Sequence, residues 1–496
     1  MKDANLLENG SILETDVLII GSGAGGANAA KILSKNRKVL IIEEGPYQTN
    51  ANFSGEFNAY KNLYMEGSAR YTKDKAIRVL QGRAVGGSAL VNWTTSFRTP
   101  TSTLNYWKSN FGIDFVDKLN FENEEKEYSI SKWSMEPNLN NEKLKLACES
   151  MGWEWNIIKR NVQGCANLGL CGTGCPINAK RSPLVTSIPT AIENGAKLVF
   201  NLRAWKLNHK KGEIESLECV SRDGKNKILI KAKTYILAAG AVGSPALLLR
   251  SKVKDPYNKI GARTFLHPTV LSSAFYDEKI EGARGAPQSV YSDHFLNKSF
   301  NDSIGFKLEA APVYPILYSS AFSAHGEEHA AMMKQRAYAS GHIALMRDGF
   351  HSDSQGGQVE LDKYGNPVLD YKISPYLWKG MKSAMINLSK AQLKSGAKRV
   401  YPGITNAQFF TSSSEVESFI RNAPEEPVKF PVFSAHVMGG CTMGSDKKKS
   451  VLDLDGKLRT ASNVFVVDAS IFPTSVGANP TESIFAFSTY LAKKLV

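Results

Sequence analysis

The stretch Asp16-Val-Leu-Ile-Ile-Gly-Ser-Gly-Ala-Gly-Gly26 constrains the fold more than any other part of this chain. Val17 to Ile20 form an apolar run suited to a buried strand, and Gly21, Gly23 and Gly26 give the spacing G-x-G-x-x-G. Ala27 to Ser34 read as a helix, and Val39 to Ile42 as a second apolar strand that ends in Glu43. Strand, glycine turn, helix, strand and acid in this order make a nucleotide-binding βαβ unit. The glycines let the backbone approach a pyrophosphate, whose charge sits at the positive N-terminal end of the helix. Gly21, Ser22, Gly23 and Gly26 are therefore candidate cofactor contacts, and Glu43 is placed to accept hydrogen bonds from a ribose diol. The motif alone does not choose between NAD and FAD.

The chain has 496 residues, 42% of them hydrophobic, enough to bury a large core in two domains. Sixty-one Lys and Arg against 47 Asp and Glu give a net charge of +14, which leaves attraction to anionic lipid open. The basic residues are scattered, and the densest cluster, Lys447-Lys448-Lys449, reads as a solvated turn. With no aromatic interleaving beside it, no nucleic-acid partner is expected. Met1 to Thr15 carry Asp3, Glu8 and Glu14 and lack the apolar core of a secretory signal. No run of about 18 apolar residues occurs. The expectation is a cytoplasmic enzyme, with peripheral membrane contact left open. Six cysteines in so long a chain do not make a disulfide scaffold.

The next informative stretch is Val79-Leu-Gln-Gly-Arg-Ala-Val-Gly-Gly-Ser-Ala-Leu-Val-Asn-Trp93, an apolar segment punctuated by Gly82, Gly86 and Gly87. It resembles the second flavin-contacting segment of the glucose-methanol-choline (GMC) oxidoreductases. That resemblance implies FAD, with the opening motif on the ADP half and Arg83, Gly87, Ser88 and Asn92 along the pyrophosphate and isoalloxazine. Some members tether FAD through a His before the Asn. Val91 stands there, so non-covalent FAD is expected. Gly164 to Pro176 follows, with Cys165, Cys171 and Cys175. Five and then three residues separate these cysteines and no fourth is near, so neither a cluster nor another metal site is expected. Together with Ala179-Lys180 the segment resembles bacterial members akin to long-chain alcohol oxidases.

Strands are expected at Lys197 to Asn201 and Lys227 to Lys231, then a buried strand from Tyr235 leading through a glycine turn to a helix over Pro245 to Arg250. By the resemblance, Ala239 and Gly240 pack near the adenosine side. Residues 306–312 and 358–371 read as strands, the second pair as a hairpin turning at Lys363 to Asn366, while 376–395 and 412–422 read as helices. Glu309, on a strand amid small residues, is either a second acid-base group or a solvated carboxylate.

The tail brings the chemistry. Ser434-Ala-His-Val-Met-Gly-Gly-Cys441 resembles the family segment carrying the active-site histidine, which makes His436 the expected base. His267, in Phe265-Leu-His-Pro268, resembles a family string outside the family's catalytic pair and reads as structural. The stretch from Asn463 reads as a last strand ending in Asp468, and the resemblance implies that Asp468 and Ala469 lie near the ribityl and pyrophosphate. In Gly477-Ala-Asn-Pro-Thr-Glu-Ser483, Asn479, Pro480 and Glu482 have the spacing of a helix cap, first turn and capping box. The family also places a His or Asn here as partner of the catalytic His, so Asn479 is expected to orient the substrate oxygen and, with Pro480, to touch FAD.

The expected fold is α/β with an α+β second domain: a Rossmann-like FAD domain and a largely antiparallel substrate domain. FAD-binding parts are expected at 1–104, 191–270 and 431–496, connecting helices and the Cys/Gly-rich loop at 105–190, and the substrate domain at 271–430. The expected reaction oxidises an alcohol, aliphatic or apolar, to an aldehyde or ketone, with electrons passing from FAD to oxygen, a quinone or another acceptor. The alternatives are a lyase that keeps FAD without net flavin reduction and a non-catalytic flavin-binding protein.

Overall fold

A computed structural model describes residues 1–53, 55–297 and 303–496. The nucleotide-binding signature opens as β1 (Ile12–Ile20), α1 (Ala24–Leu33) and β2 (Val39–Ile42). The helix begins three residues earlier than its apolar pattern suggests, because Gly23 turns directly into it. β3 (Lys197–Phe200), β4 (Leu202–Lys210), β5 (Glu213–Ser221) and β6 (Lys227–Leu237) complete most of the first sheet. β3, β2, β1 and β6 lie side by side and parallel, and β6, β5 and β4 form an antiparallel meander. β6 is divided in use: Lys227 to Ile230 pair with β5, while Tyr235 to Leu237 pair in parallel with the late strand Val464–Val466. A strand closed on both sides and both faces must be apolar, and Tyr235, Ile236 and Leu237 are fully buried.

After β6 the chain enters α2 (Gly240–Arg250). This helix starts five residues before the expected Pro245, which lies inside it. Asp468 explains the early start, since its Oδ2 accepts from Gly240 N at 2.8 Å and from Ser244 Oγ at 2.5 Å, capping the first turn with a carboxylate.

The second large sheet is almost wholly antiparallel. β8 (Thr269–Phe275), which follows β7 (Ala262–Leu266), pairs with β10 (Ala339–Met346), and β10 with β9 (Phe306–Ala310). Short strands from outside residues 271–430, at Ile77–Val79, Asn156–Ile157 and Val432–Ser434, join its edges. The long helix α3 (Pro375–Lys394) packs on β8 and β10. Its start is set by Ser374, whose hydroxyl accepts from Leu377 N, with Pro375 at the first position. β7 belongs to a separate four-stranded sheet with Val437–Gly439 and the hairpin Gly357–Leu361 and Pro367–Asp370, which turns where the sequence predicts.

Two chain segments change sheet side by side. β7 hands over to β8 through His267-Pro268, and Val432–Ser434 to Val437–Gly439 through Ala435-His436. Leu266 pairs with Val437 in one sheet, and Thr269 with Phe433 in the other. The register therefore sets His267 opposite His436. The last helix, α4 (Thr481–Lys493), packs its buried face against α1.

Candidate active site

A cavity of about 710 Å³ runs from the carboxyl ends of the parallel strands to the inner wall of the antiparallel sheet. Its first end is built where β1, β2, β6 and Val464–Val466 finish, the position at which open α/β sheets hold nucleotides. Gly21, Glu43, Ala239, Asp468 and Ala469 line it there. Gly23, Ala24 and Gly25 present the first turn of α1, which no side chain caps. A ten-residue helix with free leading N–H groups facing a cavity suits a pyrophosphate.

The glycines here are required by contact. A Cβ on Gly25 would lie 2.1 Å from Val467 O, and one on Gly87, whose φ is +60°, would lie 2.6 Å from Gly23 Cα. The second contact joins the two glycine segments back to back, so the cavity is roofed by main chain. Gly26 and Ser22 do not reach it. Gly26 packs against Gly21 O, and Ser22 is fully buried, its hydroxyl donating to Glu43 Oε2 at 2.7 Å and accepting from Gly86 N at 3.1 Å. Glu43 also accepts from Ser22 N and Gly45 N. Three donors thus occupy a carboxylate with about four acceptor positions, leaving one towards the cavity.

Arg83 lines the same end, with its Nη1 3.6 Å from a Glu44 carboxylate oxygen and its buried Nε without a partner among the described residues. Ser88 and Asn92 also line the cavity. Ser88 Oγ accepts from Gly82 N at 2.9 Å, and Asn92 Oδ1 accepts from Thr94 N at 3.2 Å. The residues present fit FAD: a main-chain roof, free helix N–H groups for its pyrophosphate and an unsatisfied guanidinium nitrogen.

The other end holds the reactive groups. His436, Asn479, Pro480 and Glu309 all line the cavity, amid Trp93, Ile343, Leu345 and Phe433. Glu309 is fully buried on β9, so the solvated reading is wrong. All five residues of β9 are buried, since both faces of the strand are covered. Its Oε2 accepts from Gln288 Nε2 at 2.6 Å and Asn479 Nδ2 at 3.4 Å, and its Oε1 has no partner among the described residues. Burial pushes its pKa up to about 7, against the opposing pull of Lys307 and these two amides.

Asn479 does not cap α4. Its side chain turns to Glu309, its Oδ1 is buried without a partner among the described residues, and α4 starts at Thr481 with Pro480 in the flanking position. Glu482 closes no capping box either. It is fully buried, with both carboxylate oxygens unpartnered among the described residues, and burial beside Glu125 pushes its pKa up to about 8.

His267 is joined directly to His436. Its Nδ1 lies 2.9 Å from His436 Nδ1, the rings are perpendicular at 89°, and its Nε2 accepts from Gly477 N at 3.1 Å. Burial lowers the pKa of both rings, to about 4 for His436 and well below the ordinary imidazole value for His267, so both are neutral near pH 7. The family string around His267 marked the residue, but only the paired sheet change brings the two imidazoles together.

The Cys/Gly-rich loop forms an outer wall. Lys180 is buried and its Nζ donates to Leu90 O, Asn92 O and Cys171 O, each at 2.7 Å, which clamps the loop to both sides of Val91. Tyr64, a cavity residue, donates to Gly172 O at 2.7 Å. Among the described residues no group of three His, Cys, Asp or Glu is placed to hold a metal, and no helix is long and apolar enough to cross a membrane.

Comparison with known proteins identifies the family. An N-terminal family model described as GMC oxidoreductase matches residues 60–269, and its C-terminal counterpart residues 352–488, together more than half of the chain. The long-chain-alcohol oxidase FAO4B of Arabidopsis thaliana is 28% identical, over 98% of this chain and 67% of its own. The GMC-type oxidoreductase y4nJ of Sinorhizobium fredii is 26% identical, over 99% and 97%. Among solved structures, pyridoxine 4-oxidase from Mesorbium loti superposes with a TM-score of 0.67 at 18% identity, covering 97% of this chain and 99% of that one. A formate oxidase gives 0.69 at 15%, covering 98% of each. The chain belongs to the GMC oxidoreductase family and is an FAD-dependent oxidoreductase.

Proposed function

We propose that the protein oxidises an aliphatic or otherwise apolar alcohol to the carbonyl compound, using non-covalently held FAD. The observation that carries this reading is the convergence of His436, Asn479 and Glu309 on one cavity whose neighbouring walls are Trp93, Ile343, Leu345 and Phe433. The three reactive polar groups stand beside a wall of large apolar side chains, with Thr95, Thr269 and Gln288 as the further polar residues of that end, which suits an alcohol with an apolar chain. Bound FAD supplies the acceptor for the hydride that leaves the carbinol carbon. The chain's own residues hold the hydroxyl between the His436 imidazole and the second N–H of Asn479 Nδ2. They also remove its proton within the group formed by His436, Asn479 and Glu309. Val91 offers no nucleophile or imidazole for a tether, which supports non-covalent attachment. Arg83, Gly21, Gly23, Gly87, Ser88, Asn92, Asp468 and Ala469 are the residues we assign to the cofactor by their place in the cavity wall.

Relatives named as long-chain-alcohol oxidases support the apolar substrate. Anaerobic mixing of the FAD-loaded protein with straight-chain alcohols of increasing length tests the reading. Loss of the oxidised-flavin absorbance that quickens with chain length is expected. Cleavage of a substrate while the flavin stays oxidised would establish the lyase instead, and no bleaching across the series would refute alcohol oxidation. Peroxide yield under air against reduction of an artificial acceptor then identifies the electron acceptor class.

A further inference from the structure

The hydrogen-bond chain Gly477, His267, His436 fixes where the protons lie. A backbone N–H only donates, so His267 Nε2, 3.1 Å from Gly477 N, carries a lone pair. A neutral imidazole has one proton, which His267 must then hold on Nδ1. That proton points at His436 Nδ1, 2.9 Å away, so His436 Nδ1 is the acceptor. A neutral His436 is left with its proton on Nε2, the nitrogen available to the cavity.

We propose that His267 is a positioning residue that fixes His436 as the Nε2–H tautomer, so that His436 donates to the substrate oxygen and Glu309 accepts the hydroxyl proton. This rests on the alcohol-oxidation reading and changes the role of His436 within it from base to donor. Glu309 has what an acceptor requires: a buried Oε1 without a partner among the described residues, on a carboxylate bonded through Oε2 to Asn479. In the step, the alcohol O–H bond breaks and an O–H bond forms at Glu309 Oε1. The oxygen left behind is held by His436 Nε2–H and Asn479 Nδ2–H, two neutral donors that need not lose a proton. Gly477 lies two residues before Asn479, so one imidazole couples both donors.

The test has two arms. The first is a multiple-bond 1H–15N spectrum of the FAD-loaded protein labelled at histidine, with the His436 signals identified by their loss in His436→Ala. The Nε2–H pattern is expected for His436, and an Nδ1–H pattern would overturn the proposal. His267→Phe should give a mixture of tautomers. His267→Gln, whose amide can accept from Gly477 and donate to His436, should restore the parental pattern and most of the flavin-reduction rate. A folded His267→Phe protein with the parental tautomer counts against the proposal. The second arm is anaerobic flavin reduction by a reactive alcohol. Glu309→Gln should slow it by about 100-fold or more, and reduction at the parental rate would overturn Glu309 as acceptor. The spectrum needs no substrate, so it decides the tautomer even if no alcohol bleaches the flavin. That outcome would remove the alcohol-oxidation reading and, with it, the role given to Glu309.

Discussion

Lys180→Met separates a structural from a chemical reading of the Cys/Gly-rich loop. In the parent, all three ammonium protons of Lys180 are used, on Leu90 O, Asn92 O and Cys171 O. A hydrogen bond to a charged group contributes about 1.5–3 kcal/mol. Against this stands the burial of the cation, which pushes its pKa from 10.5 down to about 8 and corresponds to about 3 kcal/mol. The three bonds outweigh that penalty, so methionine, which fills the space and satisfies no carbonyl, should lose about 1.5–6 kcal/mol. For a chain of this length the unfolding entropy converts each kcal/mol into about 1 °C of Tm. The expected result is a Tm lower by about 1.5–6 °C in a flavin-fluorescence melt, with faster FAD release, because the clamp closes on both neighbours of Val91. Cys171→Ser should change neither, since Lys180 holds the Cys171 carbonyl and not its sulfur. A Lys180→Met protein with parental Tm and FAD release would refute the clamp, and a large effect of Cys171→Ser would show that the thiol matters.

Gly25→Ala should yield protein without flavin absorbance on purification, because the new Cβ would sit 2.1 Å from Val467 O and force α1 away from the segment that carries Asp468. Glu482 has a pKa raised to about 8, so the folded chain binds its proton more tightly than the unfolded chain does. Stability from this group is present below about pH 4.5 and is lost as pH rises towards 8. Glu482→Gln should therefore match the parent at pH 5 and melt higher than it at pH 8.5, and equal melting temperatures at both would refute the assignment. Asn479 holds the pKa of Glu309 down, so Asn479→Ala should raise that pKa above about 7 and lower the ionised fraction at neutral pH. Its flavin-reduction rate should be reduced at pH 7 and recover partly by pH 8.5, measured against the parent over the same range.

The nucleotide end was legible in the sequence because its constraint is local. A pyrophosphate approached by main chain requires glycine at fixed spacing, and the strands around it are closed on both faces, so they read as apolar runs. The reactive end was legible only in part. His436 and Asn479 are marked by the motifs around them, but their hydrogen bonds come from residues 169 and 170 positions away. Asn479 illustrates why the cap reading failed. The spacing Asn-Pro-x-Glu fits a helix start, yet a buried carboxylate on β9 takes the amide instead, because an unpaired buried charge outweighs one capping bond. β9 itself gave no alternation to read, since both of its faces are covered. The early start of α2 was hidden for a related reason: its cap is Asp468, more than two hundred residues away.

His267 shows how topology creates chemistry that no local pattern encodes. Two antiparallel segments leave one sheet and enter another at the same level, and Ser434 stitches the step, its hydroxyl accepting from His267 N at 3.2 Å and donating to His436 O at 2.9 Å. Neither crossing residue can pair in a ladder there, so both side chains are free to meet across the gap. Each sheet fixes one side of the meeting, through Leu266 with Val437 on one side and Thr269 with Phe433 on the other. The imidazole that faces the cavity is therefore held by two rigid sheets, while the cavity's other end is held by the strand ends that receive the cofactor. Sliding the segment 432–439 by one residue would exchange His436 for Ala435 or Val437 and leave the cavity without its donor.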